Sequence, residues 1–180
     1  MPGALSGRTA IVIGAACTVG AAVSCALSRA GASVVLAATD IEAISALATD
    51  IGLAGGHAVA VPTDVTNPMS VRRLVEQTLG AFGRLDAAIN HAQPDTVTLA
   101  MKYEIPPMCR ARSGHIVNLA LTPAGQPAPA GVQDFADCGI RIHAVSTGPH
   151  DRPEDIAGTV VRLCSGDAPP DVLNGQSRQA

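Results

Sequence analysis

Aromatic side chains are almost missing from this sequence: 180 residues hold no tryptophan, one tyrosine and two phenylalanines. Any core must therefore be built from Val, Ile, Leu and Ala. There is enough of them, since 47% of the chain is hydrophobic and only 15% is charged. Basic residues are also scarce. The net charge is −3 and no basic stripe appears, which excludes nucleic acid as the main partner. No two of the five cysteines (Cys17, Cys25, Cys109, Cys138, Cys164) are spaced as C-x-x-C. Odd in number and scattered, they read as free thiols of a reducing cytosol, neither a disulfide frame nor a zinc site. His57, His91, His115, His143 and His150 show no paired metal-ligand spacing. They read as surface or satisfied core histidines, and no metal is expected. A true membrane run is missing too. Thr9–Ser28 is uncharged, but Gly14, Gly20, two cysteines and small polar residues interrupt it. Arg8 stands alone before it, so no basic leader region precedes it. The expectation is a soluble, cytoplasmic protein, and the length predicts one domain over 1–180.

What is present is alternation. Thr9–Ile13 reads as a short buried strand, followed by a helix over Gly20–Arg29 that Gly31 closes. Ser33–Ala38 is a second β-rich run. Asp40 then caps a helix to about Leu53, and His57–Val61 is a third strand. Asn67-Pro68 places a cap and a first-turn proline before a helix whose apolar positions Val71, Leu74, Val75, Leu79 and Phe82 recur at helical spacing. Gly83 stops it, and Leu85–Asn90 is a fourth strand. From here the rhythm weakens. One short helix at most fits before the fifth strand, His115–Ala120, and Pro106-Pro107 ends it. The segment "LTPAGQPAPAGVQDFADC" has room for one helical turn, Ile140–Ser146 is a sixth strand, and Pro153–Ser165 is a helix with Glu154 and Asp155 in its first turn. Continuous apolar strands alternating with helices predict an α/β fold with a parallel sheet covered by helices on both faces.

The first strand–helix corner is the candidate site. A strand that ends in a glycine turn and feeds a helix aims backbone N–H groups and a helix dipole at one place, where a pyrophosphate can sit. Gly14 permits the tight turn, and Gly20 permits close packing of helix on strand. Thr18, followed by Val19, stands where such loops usually keep a middle glycine; its branched side chain either crowds the phosphate or offers it a hydroxyl. Alone, two glycines at such a corner are also consistent with ordinary close packing.

The surrounding stretches carry a family resemblance. "IVIGAACTVGAAVSCALSRAGASVVLA" resembles the Gly-rich opening of the short-chain dehydrogenase/reductase family. "VPTDVTNPMSV" is similar to its adenine-side motif, and "LDAAINHAQ" to its Asn-Asn-Ala-Gly strand end, with His91 and Gln93 as departures. "PPMCRARSGHIVNLA", "CGIRIHAVSTGP" and "RPEDIAGTVVRLCS" resemble the approach to the serine strand, the next strand and the late helix, in order. Together with the alternation, the resemblance implies a Rossmann-like, doubly wound parallel sheet in three layers with strand order 3-2-1-4-5-6. It also implies NAD or NADP as cofactor, with contacts at Gly14, Thr18, Val19, Gly20, Asp64, Val65, Asn90 and Ala92. The selecting positions after the second strand are Ala38 and Thr39, neither acidic nor basic, so the choice between NAD and NADP stays open.

The same resemblance exposes what is missing. Family members transfer hydride with a Tyr-x-x-x-Lys pair, a serine ending the fifth strand, and an asparagine on the preceding helix. Here the only tyrosine, Tyr103, and the only lysine, Lys102, are adjacent, and Pro107 stands four residues after the tyrosine. Ala120 and Leu121 occupy the serine positions, with Thr122 one step late. The catalytic set is therefore unassigned, and the C-terminal half reads as pared down. Three functions stay open: a dinucleotide-binding protein without ordinary oxidoreductase activity, acting as a homo-oligomer or beside an active relative; an oxidoreductase in which Thr122, His91 or His143 substitutes; and a non-functional shortened relative.

Overall fold

The structure, a computed structural model, describes residues 3–121, 135–148 and 150–167. Six strands form one parallel sheet: β1 (Thr9–Ile13), β2 (Ser33–Ala38), β3 (His57–Pro62), β4 (Ala87–His91), β5 (Gly114–Leu121) and β6 (Ile140–Thr147). Their order is β3-β2-β1-β4-β5-β6, as the alternation and the family resemblance together predict. The helices are α1 (Thr18–Arg29), α2 (Ile41–Leu53), α3 (Pro68–Phe82), α4 (Pro94–Ala111) and α5 (Pro153–Ser165).

The pleat of β1 divides the core. Ala10 and Val12 pack with Val23 and Leu27 of α1, Ile44 of α2 and Val160 of α5. Ile11 and Ile13 pack on the other face with Val71 and Leu74 of α3 and Ala100 and Met108 of α4. This is the aliphatic core the composition requires. Local signals act where expected. Asp40 caps α2 by accepting from Ala43 N–H at 3.0 Å, Asn67 caps α3 by accepting from Met69 N–H at 2.9 Å, and Gly83 ends α3 at φ 71°.

One expectation fails. The helix before β5 is no stub ended by Pro106-Pro107; α4 runs for 18 residues with both prolines inside it. Interior prolines remove two helical hydrogen bonds and normally cost several kcal/mol. Packing outweighs this. Ala100, Glu104 and Met108 recur every four residues and are buried along one stripe. Met108 locks against β5 so closely that a Cβ at Gly114 would lie 2.5 Å from its Sδ. Of the segment in which one helical turn was expected between the fifth and sixth strands, residues 122–134 lie outside the described residues, and the part described holds the 3-10 turn Ala136–Cys138. Thr122 lies outside the described residues.

Candidate functional site

Strand order runs outward from β1 to β3 on one side and from β4 to β6 on the other. In such sheets the ligand crevice opens at the point of reversal, outside the C-terminal ends of the strands. Here that point lies between β1 and β4. Gly14 leaves β1 at φ 80°, and a Cβ there would lie 2.5 Å from the His91 carbonyl oxygen. The turn and the end of β4 are thus in contact. Gly20 lies in the first turn of α1, where a Cβ would come within 2.1 Å of the Gly14 carbonyl oxygen. Both glycines have the roles their spacing suggests.

Between them, Cys17 caps α1, its Sγ accepting from Gly20 N–H at 3.2 Å. Thr18 and Val19 open the helix, so their N–H groups belong to the first turn, which has no helical acceptors. No acidic residue stands in that turn. Thr18 is exposed and Val19 is half-buried against the α1 layer. Donors, dipole and the absence of an acidic residue in the first turn all fit a diphosphate.

The other predicted contacts lie along the same edge of the sheet. Asp64 is exposed beyond β3, and its Oδ1 accepts from Thr66 Oγ1 at 2.7 Å and Thr66 N–H at 2.9 Å. These bonds hold the carboxyl below its ordinary range, so it is a charged acceptor. Val65 and Ala92 pack against the α3–α4 layer. Asn90 is placed differently from its neighbours. It is fully buried, and its Nδ2 donates to Glu104 Oε2 at 3.1 Å and Asn118 Oδ1 at 3.0 Å. Its side chain is a strut beneath the crevice.

Glu104 was not visible in the sequence as a site residue. Only 1% exposed, it is pushed by burial up to about 7, although the Asn90 bond pulls the other way. Its Oε1 and Asn90 Oδ1 have no partner among the described residues. A second pair was also missed. His91 ends β4, half-buried, with Nδ1 3.0 Å from Cys17 Sγ; of the two readings the sequence allowed, surface or satisfied core, it is not a plain surface histidine. Burial alone would raise the Cys17 thiol; the bonds from His91 and Gly20 outweigh it and bring it below its ordinary value. The same bond raises His91. Nothing in a separation of 74 residues announces this contact.

The remaining candidates are dispersed. Lys102 is exposed on α4, while Tyr103 packs into the α3–α4 layer. His143 lies mid-strand, opposite Val117, with its ring stacked on His115 at 6.3 Å. Burial lowers both imidazoles, His115 to about 4. Among the described residues no group of three His, Cys, Asp or Glu could hold a metal, and no helix is long and apolar enough to cross a membrane.

The family model for short chain dehydrogenase matches residues 8–133. The chain belongs to this family. An uncharacterized oxidoreductase of Staphylococcus haemolyticus is 33% identical over 144 residues, covering 68% of this chain and 62% of that one. An A-factor type gamma-butyrolactone 1'-reductase of Streptomyces virginiae is 40% identical over 88 residues, covering 49% of this chain and 34% of its own. The chain therefore spans less than two thirds of the length of these curated relatives. Among solved structures, a metagenomic short-chain oxidoreductase in complex with NADP matches with a TM-score of 0.82 and 25% identity, covering 90% of this chain and 92% of that one. Short-chain dehydrogenases bind NAD(P), and this chain has their sheet and their Gly-rich turn.

Proposed function

We propose that the protein binds NAD(H) or NADP(H) and does not carry out the family's ordinary carbonyl reduction. The cofactor would lie across Gly14, Thr18, Val19 and Gly20, with Asp64 and Val65 on the adenine side and Asn90 and Ala92 at the end of β4. One observation carries the reading: the first turn of α1, at the β1–β4 reversal point, begins with an exposed Thr18 and holds no acidic residue, while the only tyrosine and lysine lie together on α4. A bound nicotinamide supplies or accepts a hydride. A carbonyl receiving it must be protonated as the charge forms, and a tyrosine with pKa of about 10 does this poorly at neutral pH without a lysine one turn away. Adjacent residues project about 100° apart on a helix, so Lys102 cannot serve Tyr103. Such a protein would act in the cytoplasm as a dinucleotide-dependent regulator, alone, as a homo-oligomer, or beside an active relative.

Titration calorimetry with NADH and NADPH tests the binding. Thr18→Gly should tighten it about threefold to tenfold, because a branched side chain leaves the phosphate approach. A panel of ketones and alcohols with both cofactors tests the chemistry. Turnover abolished by Tyr103→Phe overturns the reading, and no binding of either cofactor at millimolar concentration reduces the site to an inherited corner.

A further inference from the structure

Five thiols are present, and one of them is unlike the others. Among the described residues, only Cys17 has an imidazole as partner, and it also caps a helix of 12 residues. The contact is built by two distant parts of the fold. Cys17 comes from the turn after β1, and His91 comes from the end of β4 on the neighbouring strand. Gly14 makes the approach possible, since any Cβ there would collide with the His91 carbonyl oxygen. A thiolate in this position receives Gly20 N–H at 3.2 Å, the positive end of α1, and His91 Nδ1–H at 3.0 Å. Cys17 itself is half-buried, and its sequence neighbours Ala16 and Thr18 are both exposed. Thiols at helix N-termini beside a protonated histidine are the ones that react at neutral pH.

We propose that Cys17 and His91 form a thiolate–imidazolium pair that makes Cys17 a site of modification by hydroperoxides, and that oxidation there and dinucleotide occupancy of the α1 N-terminus exclude each other. The exclusion rests on the dinucleotide reading above; the reactivity does not. In the step, the thiolate lone pair attacks one peroxide oxygen. The S–O bond forms and the O–O bond breaks. The departing hydroxide, or the alkoxide of an organic hydroperoxide attacked at its terminal oxygen, takes the proton from His91 and leaves as water or alcohol. Sulfur is oxidised by two electrons to the sulfenic acid and the peroxide is reduced. The product adds an oxygen within the first turn of α1, where the diphosphate would sit.

The other thiols provide internal references. Burial pushes Cys164 up to about 12, and Cys138 raises Cys109. The reduced full-length protein is pulse-labelled with iodoacetamide between pH 6 and 9, unfolded, and counter-labelled with a heavy isotope, and each cysteine is read by mass spectrometry. At pH 7 Cys17 should label at least tenfold faster than Cys25, Cys109, Cys138 and Cys164. His91→Gln should slow Cys17 at least fivefold while circular dichroism and melting temperature confirm folding. Hydrogen peroxide followed by dimedone should mark Cys17 first. Millimolar NADPH should slow both reactions. Cys17 labelling no faster than Cys25, or unchanged by His91→Gln in a folded variant, overturns the thiolate pair. NADPH binding by calorimetry without protection overturns the exclusion, whereas neither binding nor protection overturns the dinucleotide reading and the exclusion together, with the labelling rates still deciding the pair.

Discussion

Glu104→Gln is expected to make the protein more stable at pH 8 by roughly 3 kcal/mol and to leave it nearly unchanged at pH 4.5. The carboxyl titrates at about 7 in the fold, against an ordinary 4.5, because it is buried in the middle of the α4 stripe. Each unit of difference is worth about 1.4 kcal/mol, which sets the size of the effect. The sign follows from proton counting. Between about pH 4.5 and 7 the folded state holds a proton that the unfolded chain has released, so stability falls as pH rises through this window and stays low above it. Glutamine keeps the acceptor for Asn90 Nδ2 and offers an N–H to the unpartnered Asn90 Oδ1, without a charge to bury. His115 acts in the opposite direction. Burial holds it neutral down to about 4, so its contribution is present above about 6.5 and lost as pH falls toward 4. The two slopes oppose each other between about 4.5 and 6.5. Urea unfolding across pH 4.5–8.5 should therefore show a shallow wild-type profile there and a decline above it. The Glu104→Gln profile should rise with pH and then level off. A variant that declines in parallel with wild type would show that Glu104 is ionised in the fold at neutral pH.

That carboxyl also marks the limit of what the sequence can show. Strands built of unbroken Val, Ile, Leu and Ala, and caps such as Asp40, Asn67 and Gly83, act within a few residues, so they are legible in one dimension. The strand order followed from that alternation together with the in-order family motifs. α4 was not legible because its core stripe contains a glutamate and its fourth turn contains two prolines, each of which breaks a pattern used to recognise helices. Its continuation depends on Met108 meeting Gly114, a contact between elements. The glycine turn was legible because only glycine fits there. The Cys17–His91 pair was not, because neither residue has a local signature and the sheet alone brings them together. Asn90 was legible as a special position, and the structure adds that its amide is used inside the sheet, between Glu104 and Asn118.

Gly20→Ala is expected to cost about 3 kcal/mol or more and to weaken dinucleotide binding at least tenfold. The added carbon would lie 2.1 Å from the Gly14 carbonyl oxygen and 2.9 Å from the Ala15 Cα. Both are backbone atoms, so no rotamer change relieves the contact; α1 must lift from β1 as a body. Overpacking usually costs about 1–3 kcal/mol, and the rigid neighbours put this case at or above the upper end. Lifting α1 also loosens Val23 and Leu27, both fully buried in the layer shared with α5. The same displacement carries the first-turn N–H groups away from the reversal point between β1 and β4, which ties the loss of stability to a loss of binding. Gly80→Ala in α3 separates this from a general effect of alanine. A Cβ at Gly80 meets nothing within 4 Å, so that variant should gain about 0.5–1 kcal/mol from helix propensity alone. Chemical unfolding of the two variants gives opposite shifts if the corner is packed as described. NADPH titration of Gly20→Ala below its melting transition then decides the location of the site. Unchanged affinity in a destabilised variant would place the dinucleotide away from the α1 N-terminus.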